Sequence, residues 1–147
     1  MPKRFTHAEA ERLLPQVEAL LREAINLKGE YETAGAEFQQ FLERLMRLGG
    51  VLVDRPRALA VRQRRDGAAA RLRAAVEQVQ ETGCVLKDLD IGLVDFPTRF
   101  RGEEVYLCWK LGEPGIGFWH GVDEGFRGRK PIDQDFLHHH EGEEDPD

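Results

Sequence analysis

An imidazole and two carboxylates stand close together in EPGIGFWHGVDEGFRGRKP, residues 113–131: His120, Asp123 and Glu124. Such a set can hold a divalent metal ion such as Zn, Mn or Ni. The spacing matches no established metal motif, and a lone histidine on an apolar strand face is more often a hydrogen-bonded core residue. A second chemistry lies in the same region. Lys110, Arg127 and Arg129 suit a phosphate or carboxylate. Asp95, Tyr106, Glu113 and Trp119 extend them into a mixed polar and aromatic surface, of the kind that takes a small anionic ligand or a partner. Asp88, Asp90 and Asp95 could converge for general acid–base work or cation binding, but read first as turn formers that bond their own backbone.

No reaction is identifiable. The chain contains no serine, no phosphate loop and no dinucleotide fingerprint. Cys84 and Cys108 are its two cysteines and read as small buried side chains rather than a redox pair. Cys108 would act as a nucleophile only if exposed and paired with a base.

Strands must position these residues. From Cys84 the hydrophobic period changes to two: Val105, Leu107, Trp109 and Leu111 alternate with Glu104, Tyr106, Cys108 and Lys110. Tight turns at Arg101–Gly102 and around Pro114–Gly115 divide the run into a three-stranded antiparallel meander over about 93–100, 104–111 and 116–121. With 112–115 as the loop, Leu111 faces Ile116, Trp109 faces Phe118 and Leu107 faces His120. That register puts His120 on the apolar side. Trp119 joins Tyr106, Cys108 and Lys110 on the other side, and so does Asp95 if the first turn has two residues.

Ahead of the strands the period is helical. Thr6 and Glu9 form a capping-box pattern. Two interleaved series follow: Ala10, Val17, Ala24, Tyr31, Phe38, Leu45 and Leu13, Leu20, Leu27, Ala34, Phe41, Leu48. Every member is apolar or aromatic, so residues 7–48 form one long coiled-coil-like helix. Pro15 points away from this seam; Gly29 and Gly35 weaken the helix or admit a close neighbour. Leu48-Gly49-Gly50 ends it, Asp54 caps a second helix over 55–82, and the short link makes the two antiparallel. The second seam is smaller and richer in alanine. A bulky seam against a small one leaves apolar surface uncovered, which predicts a homodimer whose hairpins form a four-helix arrangement.

The formal charge of −6 sits in the tail. Residues 133–147 hold seven acids and no Lys or Arg, leaving 21 bases and 20 acids in the rest. Such a tail is expected to be disordered, with His138–His140 catching metal only incidentally. Arg-rich 55–73 reads as a solvated face paired with Glu30, Glu37 and their neighbours; nucleic acid ranks below that, since aromatics do not interleave the run. No stretch is long and apolar enough for a membrane span and no secretory leader is evident, so the expected location is cytoplasmic.

The stretches LKDLDIGLVDFP, EVYLCWKLGEP and IGFWHGVDEGFRGRKPI, with the opening FTHAEAERLLPQVEALL, strongly resemble a bacterial family known as domain of unknown function 2203, over Phe5 to Ile132. The resemblance brings no activity or catalytic residues. The expectation is a mainly α, α+β single domain over 1–132, with helices at 7–48 and 55–82 and a β-meander with loop at 85–132. Its leading role is an oligomeric interaction or scaffold module with a protein partner; the alternative is metal or small-anion binding at 113–130.

Overall fold

The computed structural model describes residues 3–49 and 54–142. Gly50 of the helix-ending triplet and residues 143–147 of the tail lie outside them. The long helix α1 spans His7–Arg47 and runs unbroken through Pro15. Its capping box is complete: the Thr6 hydroxyl accepts from Glu9 N at 3.1 Å, and Glu9 Oε1 accepts from Thr6 N at 3.3 Å. Helix α2 spans Arg55–Glu81 and starts where the Asp54 carboxylate accepts from Arg57 N at 3.1 Å. Neither helix is long and apolar enough to cross a membrane.

The strands are β1 (Val85–Asp88), β2 (Leu93–Phe100), β3 (Glu103–Lys110), β4 (Phe118–Gly121), β5 (Lys130–Pro131) and β6 (His140–Glu141). They form one antiparallel sheet in the order β1-β2-β3-β4-β5, and β6 adds to β2. The expected three strands are therefore its centre, and short strands extend both sides. The β2–β3 turn has two residues, with Arg101 at φ 51° and Gly102 at φ 82°. Both angles belong to the primed turn whose twist suits a tight hairpin.

Along its outer edge β2 is completed by three separate segments. β1 pairs with Leu93–Asp95, β6 pairs with Arg99–Phe100, and between them Phe5 N donates to Pro97 O at 2.7 Å. Pro97 has no N–H to offer a neighbour, so it fits at this gap in the flanking ladder.

One sheet face packs on the first half of α1. Ala10, Leu14, Val17 and Leu21 meet Val94, Phe96, Leu107, Trp109 and Ile116, with Val79 from the end of α2. Each large side chain buried there contributes roughly 1.5–3 kcal/mol. Farther along, among the described residues, the two helices pack on each other and bury Ala34, Val61 and Ala68.

Two expectations are corrected here. The β3–β4 register differs by one residue: Cys108 pairs with Phe118, Leu107 with Trp119 and Tyr106 with His120. A one-residue slip exchanges the two faces of a strand. Trp119 therefore faces the core, and His120 faces away from it. The cause is the link after Trp109, which folds on itself. The Glu113 carboxylate accepts from Lys110 N at 2.7 Å, and Trp109 Nε1 donates to Glu113 O at 3.1 Å. The link is also tied to α1, since Ile116 N donates to Glu11 Oε1 at 2.6 Å and His7 Nε2 donates to Ile116 O at 2.8 Å.

The second correction is the tail. Residues 133–142 fold instead of trailing away. Asp133 caps helix α3 (Gln134–His139), and Phe136 is buried. Its ring stacks 4.9 Å from Phe100, 5.0 Å from Trp119 and 5.2 Å from His140. Acidic composition hid one aromatic anchor.

Candidate functional site

On the sheet face away from the helices, strand pairing brings three polar side chains together. Asp95 on β2 is the direct partner of Cys108 on β3. His120 on β4 sits diagonally across from Cys108, one pair beyond Phe118. Diagonal neighbours on one face remain within reach of long side chains. All three are buried, at 1 %, 0 % and 3 % exposure. One ligand atom from each, the Asp95 carboxylate oxygen, Cys108 Sγ and an imidazole nitrogen, lie within 4.8 Å of one another.

The imidazole is held from both ends. His120 Nδ1 lies 2.8 Å from Gly121 O and Nε2 lies 3.0 Å from Asp95 Oδ1. A carbonyl accepts only, so Nδ1 carries a hydrogen and Nε2 is turned toward the carboxylate. Burial, then the Asp95 carboxylate, pushes the Cys108 thiol up to about 12, with the Arg129 guanidinium pulling the other way. Cys108 is thus a thiol at neutral pH and no nucleophile. Bonded to a metal, a thiol loses its proton outright.

The residues expected to bind a ligand are dispersed around this cluster. Asp95 belongs to it. Tyr106 is half-buried, its ring 5.5 Å from the His120 ring. Arg129 lies between Phe118 and Phe126, at 4.1 and 4.4 Å from their centroids, and its Nη1 bonds both Glu113 oxygens at 2.9 and 3.1 Å. Lys110 Nζ stands 5.9 Å from the Phe126 ring. Trp119 packs between Phe136 and Lys130, whose Nζ is 4.6 Å from its ring. Arg127 is exposed.

Of the expected metal set, only His120 is in the cluster. Asp123 is exposed, and Glu124 Oε1 accepts from Gly121 N at 2.9 Å and Lys130 Nζ at 2.6 Å. The Lys130 ammonium, then the Gly121 N–H, hold the Glu124 carboxyl below its ordinary value. Asp88 behaves as a turn former, accepting from Asp90 N at 2.9 Å. Cys108 was missed as a ligand. Alternation did set it on one face with Asp95, but the register slip sent His120 to the other side.

A second feature lies on the outer half of the hairpin. Tyr31, Leu42, Met46 and Leu48 are exposed, with Met46 at 81 %, and Phe38 and Leu45 are half-buried. The Arg65 guanidinium lies over the Phe38 ring, 4.0 Å from its centroid. The spacing of Tyr31, Phe38, Leu42 and Leu45 places them on one helix face. Exposed Glu32 and Glu43 flank it, and α2 alongside presents Ala58 and Ala69 among Arg55, Arg62 and Arg73. Among the described residues, a Cβ at Gly29 or Gly35 would meet nothing within 4 Å.

No curated protein and no solved structure matches this chain. Residues 3–132 match the model of the Uncharacterized conserved protein (DUF2203) family, and the chain belongs to that family.

Proposed function

We propose that this protein is a self-associating interaction module whose outer hairpin docks on a second copy to form a four-helix scaffold. The carrying observation is the apolar face of α1, because its shape and charge fit α2 of another copy. Glu37 pairs with Arg64 and Glu30 with Arg71, which sets the level of the helices. At that level Tyr31 lies within one residue of Ala69, and Leu42 within one residue of Ala58. A twofold axis running along the hairpin lays α1 of one copy over α2 of the other. Bulky residues then meet alanines, and Glu32 and Glu43 come beside the other copy's Arg73, Arg55 and Arg62. Turning α1 onto α1 instead would stack the two arginine-bearing helices on each other.

Exposed ion pairs contribute only about 0.2–1 kcal/mol each, so burial of the apolar face supplies the affinity and the charges choose the pairing. Sedimentation equilibrium across a concentration series tests this reading. The wild type is expected to dimerise and Leu42→Glu to be monomeric with unchanged helix content. Glu43→Arg and Arg62→Glu each weaken the dimer, and their combination recovers it. A wild type that stays monomeric at several hundred micromolar overturns the proposal.

Small-anion binding at 113–130 has less support, because Arg129 and Lys130 already have Glu113 and Glu124 as partners.

A further inference from the structure

We infer that Asp95, Cys108 and His120 form a binding site for one divalent ion of the zinc class, pinning β2, β3 and β4 together. Three observations converge on this, none of them used by the docking of two hairpins. First, the donor set joins nitrogen, oxygen and sulfur, the mixture that zinc and cobalt accept and that magnesium or calcium does not favour. Second, the three ligand atoms already lie within 4.8 Å of one another. An ion bonded at about 2.0–2.3 Å draws its ligand atoms closer together than that limit, so the three side chains close on it as it binds.

Third, the imidazole is oriented as a metal ligand ordinarily is. Its Nδ1–H is anchored on the Gly121 carbonyl, which directs the Nε2 lone pair at Asp95 and the cluster. The ion bonds Nε2, an Asp95 oxygen and the Cys108 sulfur, and the Cys108 thiol gives up its proton to solvent as its sulfur bonds the metal. Three protein ligands leave one tetrahedral position for water or a small ligand.

This chemistry also accounts for a costly arrangement. A buried acid and imidazole are expensive to desolvate, and apolar residues of similar volume often hold a core equally well. A metal ion supplies the charge that the enclosed carboxylate and thiolate require.

The test is Co(II) and Zn(II) titration of the full chain carrying His138→Ala and His139→Ala, which removes the exposed tail imidazoles. The expected result is one ion per chain, with a near-ultraviolet thiolate-to-cobalt charge-transfer band that zinc abolishes. Cys108→Ser should erase the band and lower affinity at least tenfold, and Asp95→Asn should lower affinity at least tenfold. Circular dichroism identifies a variant that fails to fold, and the wild-type spectrum does not depend on those variants. Absence of the thiolate band in the folded chain carrying His138→Ala and His139→Ala overturns the inference. So does binding that survives Cys108→Ser but disappears with the tail histidines.

Discussion

The inner and outer halves of the helical hairpin share one heptad pattern and have different fates. In the inner half the apolar positions of α1, Ala10 to Leu21, are sealed by the sheet. In the outer half the same spacing continues through Tyr31, Phe38 and Leu45, yet among the described residues no third layer covers it. An α2 dominated by alanine and arginine is too small to bury that stripe. The pattern alone specifies a helix with an apolar side, and what lies against that side is decided by elements distant in sequence. The difference separates residues that maintain the fold from residues available to another molecule.

Mutations on the two halves should therefore diverge. The largest effect is expected in the inner core. Phe96 is fully buried and meets Phe5 edge-on at 5.4 Å. Phe96→Ala should cost about 3–5 kcal/mol in urea denaturation. Leu42→Ala on the bare half should change monomer stability by about 0.5 kcal/mol or less. Equal losses at the two positions would erase the distinction between the halves.

The next effect concerns the sheet end. Truncation before Asp133 removes Phe136 from its stack with Phe100 and Trp119. A loss of about 2–4 kcal/mol is expected, against none for a solvated tail. Gly29→Ala follows in size. Its Cβ enters open space, so the intrinsic helix preference should stabilise the hairpin by up to about 1 kcal/mol, visible as a raised denaturation midpoint.

The smallest effect is electrostatic. The hydrogen bond from Arg101, then its charge, holds the Asp135 carboxyl below the ordinary aspartate value near 4. A depressed acid stabilises the folded state above its unfolded value, and that contribution disappears as pH falls through the folded one. The protection of α3 amides, taken relative to their intrinsic exchange rate at each pH, should fall below about pH 4, and Arg101→Gln should remove that pH dependence.

Much of the fold was legible because it is local. The capping box, the seam of α1, the Asp54 cap and the Arg101–Gly102 turn are each encoded within a few residues. The face shared by Asp95 and Cys108 followed from alternation together with a two-residue turn at Arg101–Gly102. The partnership with His120 did not follow, because its register depends on how the link from Trp109 to Gly117 folds. That link is fixed by Glu113 acting on Lys110 N and by Glu11 and His7, which are about a hundred residues away. The tail was hidden for a different reason. Its seven acids dominate its composition, while its attachment rests on Phe136 and on His140, whose Nε2 accepts from His7 N at 2.9 Å.

That last bond has a consequence for how the molecule is made. His140 occupies the first amide of α1, Gly142 lies against Thr6, and Phe5 completes the ladder of β2. Residues 5–7 and 136–142 thus share one seam. A chain still emerging from the ribosome lacks the second side of that seam until residues 136–142 have been made, so this contact cannot close before then.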